Sequence, residues 1–156
     1  MSASTVTIRP ATRQDIPAMT GLLAALFSIE KDFVADPGRQ AQGLSLLLSD
    51  ACQNRVLVAE SQERPHGRVI GMVVGQLTVS TAQGTPSVLL EDLVVEATAR
   101  GRGIGRMLVE ALADWAHKSG ATRIQLLADR NNAPAFEFYG RLGFGPTSMV
   151  CLRRMP

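Results

Sequence analysis

The pattern of this chain predicts an α/β fold. The expected form is a single domain over residues 1–156, with a mixed, mostly antiparallel sheet flanked by helices in the order β-α-α-β-β-β-α-β-α-β. Three observations carry that expectation. Runs that alternate apolar and polar residues are interleaved with runs whose apolar residues recur every three or four positions. Three strand-like runs follow one another with only short polar turns between them, as in an antiparallel meander. The last of these passes through an Arg- and Gly-rich turn straight into an amphipathic helix, after which a strand, a helix and a strand follow. A chain of 156 residues is near the usual size of one domain and can bury a proper core.

The elements follow in order. Residues 5–9 (TVTIR) alternate and predict a short strand. Thr12 and Asp15 have the spacing of a capping box. Pro17 sits where only the first turn of a helix tolerates it, and Ile16, Met19, Leu22, Leu23, Leu26 and Phe27 then form a helical stripe. Residues 28–38 break the pattern. Asp36 before Pro37 predicts an N-cap with proline at the first helical position, and a shorter helix burying Leu44, Leu47 and Leu48. Strands are expected at 55–60, 68–80 and 89–95, with turns at 61–67 and 81–86. Gly71 and Gly75 inside the long strand predict a bulge or a close backbone approach. Beyond the glycine turn, Ile104, Met107, Leu108, Ala111, Leu112 and Trp115 mark a helix that Gly120 ends. A strand at 123–128, a helix at 133–142 and a closing strand at 146–154 complete the order.

Composition excludes several classes. Hydrophobic residues at 46% and charged residues at 19% describe a globular chain. A net charge of +2 is too small to argue for a nucleic-acid partner, because the arginines cluster in one turn. The first residues lack the order of a signal peptide and no apolar run reaches the ~18 residues of a membrane helix, so no membrane partner is expected. Cys52 and Cys151 lack metal-ligand spacing; no metal is expected, and both read as reduced thiols in a cytoplasmic protein. His66 and His117 read as surface residues and Trp115 as core.

The turn Arg100-Gly101-Arg102-Gly103-Ile104-Gly105-Arg106 carries the strongest signal. It lies where a strand ends and a helix begins, so the unpaired N–H groups of the first helical turn converge there. Gly103 and Gly105 let a ligand approach the backbone, and the three arginines add guanidinium groups suited to phosphate. The physical reading is a pyrophosphate site. The turn lacks the Gly-Lys pair of a P-loop, and its glycines do not fit G-x-G-x-x-G from either Gly101 or Gly103.

The pattern that fits is R-x-x-G-x-G on Arg100, Gly103 and Gly105. Some twenty-five residues on, Asn132, Ala135, Tyr139, Gly143 and Phe144 fit N-x-x-A-x-x-x-Y-x-x-x-G-F. In these two motifs the chain resembles the GNAT acetyltransferase superfamily over residues 88–144. The resemblance implies acetyl-coenzyme A as the cofactor, with its pyrophosphate on residues 100–106. It also implies pantetheine contacts along the strand at Leu93, Val94 and Val95, and contacts of Asn132 and Ala135 with the cofactor's arm.

Acetyl transfer to an amine needs a base for the ammonium, a donor for the developing oxyanion and an acid for the leaving thiolate. Glu91 is the expected base: it interrupts an apolar strand, where desolvation raises a carboxyl pKa. Its alternative role is to pair with an arginine or hold the ammonium. By alternation Leu89, Glu91 and Leu93 share one face unless a bulge intervenes, and Asp92 takes the other, with a surface or structural pairing as its default. The resemblance makes Tyr139 the general acid and Val95 N–H the oxyanion donor. It also makes the break between the first two helices a wall of the acceptor pocket, with Phe27, Glu30 and Phe33 as candidates and Asp32 beside them; acidic and aromatic side chains suit a cationic amine. The expected reaction is direct attack by a small cationic amine in a ternary complex. Two alternatives are a non-catalytic coenzyme A-binding module and an enzyme that moves a longer acyl group. Exposed sheet edges leave a homodimer open.

Overall fold

A computed structural model of the chain describes residues 5–30, 32, 34–63 and 67–156. The elements are β1 (Val6–Pro10), a 3₁₀ turn (Arg13–Asp15), α1 (Ile16–Phe27), α2 (Pro37–Ser49), β2 (Asn54–Ser61), β3 (Arg68–Ser80), β4 (Thr85–Val95), a second 3₁₀ turn (Ala97–Ala99), α3 (Ile104–Lys118), β5 (Ile124–Leu126) and α4 (Ala133–Arg141). The chain divides into two compact units, Met1–Gln125 and Leu126–Pro156.

The strands lie in the order β1-β2-β3-β4-β5, and the first three pairings are antiparallel. The fourth runs the other way. Thr122 N–H donates to Pro86 O and Val88 N–H donates to Arg123 O, so the partners advance together along both segments. The sheet is therefore mixed and mostly antiparallel, as the pattern predicts.

Local chemistry sets the helix starts. Thr12 and Asp15 form the capping box, with Thr12 N–H donating to Asp15 Oδ2 at 2.7 Å. Asp15 also takes both Nη groups of Arg9 at 2.9 Å, while Arg9 Nε donates to Glu60 Oε2 at 3.0 Å. That cluster ties β1, the entry to α1 and β2 together, and the Arg9 guanidinium holds the Asp15 carboxyl below its usual range. Asp36 caps α2 by accepting from Arg39 N–H at 3.1 Å, with Pro37 in the first turn.

Both faces of the sheet in the first unit are covered. Met19, Leu22 and Leu23 of α1 and Leu44 of α2 bury against Val56, Val58, Met72, Val74 and Val94. On the opposite face Leu108 and Leu112 of α3 lie against Gly71 and Gly75 of β3. A Cβ on Gly75 would stand 2.5 Å from Leu112 Cδ1, so the close backbone approach expected there is real. Trp115, expected in the core, is half-buried on α3, with the Arg55 guanidinium 5.6 Å from its ring centre.

β5 keeps only Ile124–Leu126 of the strand expected at 123–128, and two larger differences stand beside it. β4 begins at Thr85, inside the expected turn, because Ser80 pairs with Thr85 and closes the β3–β4 hairpin over four residues. The expected closing strand at 146–154 does not form; those residues are exposed and carry no strand. Pro146 lacks a ladder donor, and Met149 N–H goes to Thr147 Oγ1 instead of a neighbouring strand.

Candidate active site

The site is organised by an irregularity in β4. Val74 pairs with Asp92 and the next residue of β3, Gly75, pairs with Leu90. Glu91 is thus the extra residue of a β-bulge. The bulge breaks the alternation that would put Leu89, Glu91 and Leu93 on one face. Leu89 pairs with Gln76 and Leu93 with Val73, which lie on opposite faces of β3. Glu91 is exposed. Asp92 is half-buried and shares the face of Val74 and Val94, towards α1 and α2.

On that face a cavity of about 490 Å³ is lined by Leu23 and Phe27 of α1, Asp32, Val34 and Asp36 of the connection, Arg39, Gln40, Gly43, Leu44 and Leu47 of α2, and Asp92; the Arg39 cation is paired with Asp36 at 3.5 Å. Burial, then the charges of Glu91 and Glu30, push the Asp92 carboxyl up to about 7. A group there is divided between base and acid near neutral pH. Of the expected acceptor residues, Phe27 lines the cavity and is half-buried, and Glu30 acts on Asp92 through its charge. Phe33 lies outside the described residues.

The end of β4 leads through the second 3₁₀ turn to the glycine turn. Gly101 and Gly103 have φ of 75° and 78°, the left-handed region that only glycine enters without strain. Gly103 is the N-cap of α3 and no side chain caps that end. The first intrahelical bond is Met107 N–H to Gly103 O, which leaves the N–H groups of Gly103, Ile104, Gly105 and Arg106 without helical partners. A Cβ built on Gly101 or Gly103 meets nothing within 4 Å. The terminus is therefore open, uncapped and backed by the dipole of a helix of 15 residues, and a pyrophosphate fits it. Around it Arg100 Nε donates to Val95 O at 3.0 Å, Arg102 meets Glu63 at 3.5 Å and Arg106 meets Glu110 at 3.2 Å. Ile104 is buried and only its backbone faces the turn.

Hydrogen-bond phase sorts the three strand residues between the cavity and the turn. Glu96 N–H donates to Ile70 O, which makes that a bonded pair, so alternate residues Leu93 and Val95 turn their N–H and C=O groups away from β3. Val94 differs: its side chain is in the core and its backbone groups point at β3. It offers a ligand neither.

Within the second unit, Asn132 caps α4 by accepting from Ala135 N–H at 3.2 Å. The cap uses the Asn132 carbonyl and the Ala135 N–H together, leaving the Asn132 Nδ2 for another partner. The expected stripe of Ala135, Phe138, Tyr139 and Leu142 is half-buried, and the Tyr139 ring stands edge-on to Phe138 and Phe144 with centres 5.1 and 5.5 Å away.

Sequence reasoning did not single out Gln40 and ranked Asp92 behind Glu91. The signal for Gln40 was its place four residues before Leu44, a polar residue on the inward stripe of α2. The phase change that turns Asp92 inward has no such signal, because a bulge is decided by pairing with β3. Among the described residues no cluster of His, Cys, Asp and Glu could hold a metal, and both cysteines are free. No helix of the described residues is long and apolar enough to cross a membrane.

The model of the Acetyltransferase (GNAT) family matches residues 23–144. An uncharacterized N-acetyltransferase of Bacillus subtilis, YhfO, is 30% identical over 143 residues, covering 88% of both chains. The streptothricin acetyltransferase of Streptomyces lavendulae is 38% identical over 74 residues, 47% of this chain and 39% of that protein. The chain thus spans well under half the length of several curated relatives it matches. The aminoglycoside N(6')-acetyltransferase type 1 of Stenotrophomonas maltophilia is 28% identical, over 100% of this chain and 97% of that one. Among solved structures, a transcriptional regulator from Bacillus halodurans superposes with a TM-score of 0.81 at 29% identity, over 97% and 99% of the two chains. An aminoglycoside N-acetyltransferase in complex with CoA superposes with a TM-score of 0.83 at 20% identity, over 99% and 97%.

Proposed function

The chain belongs to the acetyltransferase (GNAT) family, and on that premise we propose that it moves an acetyl group from acetyl-coenzyme A to the primary amine of a small cationic acceptor, by direct attack while both are bound. One observation carries the proposal. A single strand, β4, turns a half-buried carboxyl into an acid-lined cavity at its bulge and runs at its end into an open, uncapped helix N-terminus.

In this reading the N–H groups of residues 103–106 hold the pyrophosphate, and Arg100, Arg102 and Arg106 surround it with positive charge. Leu93 and Val95 present backbone groups to the pantetheine. Acetyl-coenzyme A would supply a thioester carbonyl when bound, and the Val95 N–H would be the donor that polarises it. Asp92 accepts the proton of the attacking ammonium. Glu91, the base expected from sequence, stands beside it on the bulge and contributes charge that draws the amine. Phe27 and Glu30 stand on the acceptor side of Asp92. Tyr139 would be the proton donor for the leaving thiolate, and Asn132 would offer its remaining amide hydrogens to the cofactor's arm.

The names of two relatives, aminoglycoside and streptothricin acetyltransferase, set the acceptors to try first. The reaction belongs in the cytoplasm, where acetyl-coenzyme A is supplied. The test is thiol release from acetyl-coenzyme A with aminoglycosides, a streptothricin, spermidine, amino acids and short peptides. Turnover with a cationic amine supports the proposal. Tight coenzyme A binding by calorimetry without turnover on any amine overturns the catalytic reading, and failure to bind coenzyme A overturns the assignment of the glycine turn.

A further inference from the structure

Gln40 is 8% exposed, and both its Nε2 and its Oε1 are buried with no hydrogen-bond partner. Such a group is costly, because a buried amide gives up its bonds to water and gains nothing in return. Gln40 stands one helical turn after the Asp36 cap and one turn before Leu44, on the stripe of α2 that meets the core. An apolar residue there would continue that stripe. Gln40 also lines the same cavity as Asp92.

We propose that Gln40 is a specificity-determining residue of the acceptor site, where its carboxamide turns into the cavity to pair with a hydroxyl or amide of the same molecule whose ammonium meets Asp92. The inference rests on the acetyl-transfer reading and narrows its substrate class. A carboxamide has two kinds of need: Nε2 requires an acceptor and Oε1 requires a donor. An alkyl polyamine at neutral pH carries ammonium groups, which only donate. It would satisfy Oε1 and leave Nε2 as unpaired as before. A hydroxyl both donates and accepts, and an amide offers one group of each kind. The cavity, about 490 Å³, is in the range that encloses a whole small molecule. Asp92 and Gln40 therefore select an amino alcohol, an amino sugar or an amino amide over a bare alkyl amine. The binding of such a molecule relieves the orphaned carboxamide, and that relief is unavailable to its deoxy analogue.

The experiment compares kcat and KM of wild type and Gln40→Leu for an aminoglycoside, its dideoxy derivative and spermidine. The wild type is expected to favour the hydroxylated amine by at least about tenfold in kcat/KM, since a site built to bond a hydroxyl rejects the analogue without it. In Gln40→Leu that preference is expected to vanish through a raised KM, with kcat within about threefold and the pH profile unchanged. Leucine is close to glutamine in size and removes the unpaired groups, so the variant is expected to fold with an unchanged or higher Tm. A preference retained by Gln40→Leu, or a wild type that favours spermidine, overturns the role of Gln40 and leaves acetyl transfer standing. A wild type that acetylates none of the amines overturns acetyl transfer and this role with it.

Discussion

In the proposed reaction Asp92 is the base, and its protonation sets the pH dependence. Its carboxyl is held up to about 7 by burial and by the charges of Glu91 and Glu30. As a base it works only when ionised, so kcat/KM is expected to rise with pH through about 7 and level off above it. Asp92→Asn should lower kcat by about 10²–10⁴-fold and abolish that acidic limb, with coenzyme A affinity unchanged. Glu91→Gln should keep the limb and move it to lower pH, because a neighbouring negative charge is removed; a limb lost in Glu91→Gln and kept in Asp92→Asn would return the base to Glu91. Stability has the opposite sign from activity. The folded carboxyl binds its proton more tightly than the unfolded one, so its contribution is full below about pH 3.8 and lost as pH rises through about 7. Asp92→Asn is therefore expected to stabilise the fold at pH 8, by at most about 4 kcal/mol, and to do almost nothing for it at pH 3.5. Thermal melts at the two pH values check this.

At the level of elements, two glycines do different work. Gly75 makes room for α3: an alanine there would drive its Cβ to 2.5 Å from Leu112, which is fully buried and has nowhere to retreat. Gly75→Ala should cost about 1–3 kcal/mol by urea denaturation, with α3 displaced. Gly103 has open space around it and a left-handed φ of 78°. Gly103→Ala should cost only about 1–2 kcal/mol of backbone strain, yet weaken coenzyme A binding far more than it weakens the fold. Calorimetry on the folded variant separates the two effects, and equal losses would show the turn to be structural only. Elements were legible where local chemistry decides them. Thr12 with Asp15, and Asp36 with Pro37, announced two helix starts through side chains that bond their own backbone. The Arg- and Gly-rich turn was legible as the entry to a helix, because its glycines and the apolar stripe that follows are local signals. The bulge at Glu91 and the fate of residues 146–154 were not, because each depends on which strand lies alongside.

For the molecule as a whole, the family and the mixed sheet were readable from two motifs and the order of elements. The cavity was not: it needs Phe27, Gln40 and Asp92 from three separate elements, which only folding brings to one place. A ligand that binds the folded chain and not the unfolded one stabilises it by mass action. Coenzyme A at about 100 times its Kd should raise stability by about 2.7 kcal/mol, and the Tm with it. Gly103→Ala should lose most of that gain, and Asp92→Asn should keep it all.

The extra residue in β4 also bears on how the protein can vary. Leu90 pairs with Gly75 and Asp92 with Val74, so the two sides of the bulge already face as neighbours in an unbroken strand would. Deleting Glu91 would close the ladder and leave every other side chain of β4 on its present face. Deleting any other interior residue of the strand would turn one half of it inside out. Position 91 is thus where a lineage could gain or lose one residue without redesigning the core, and with it a negative charge that acts on Asp92.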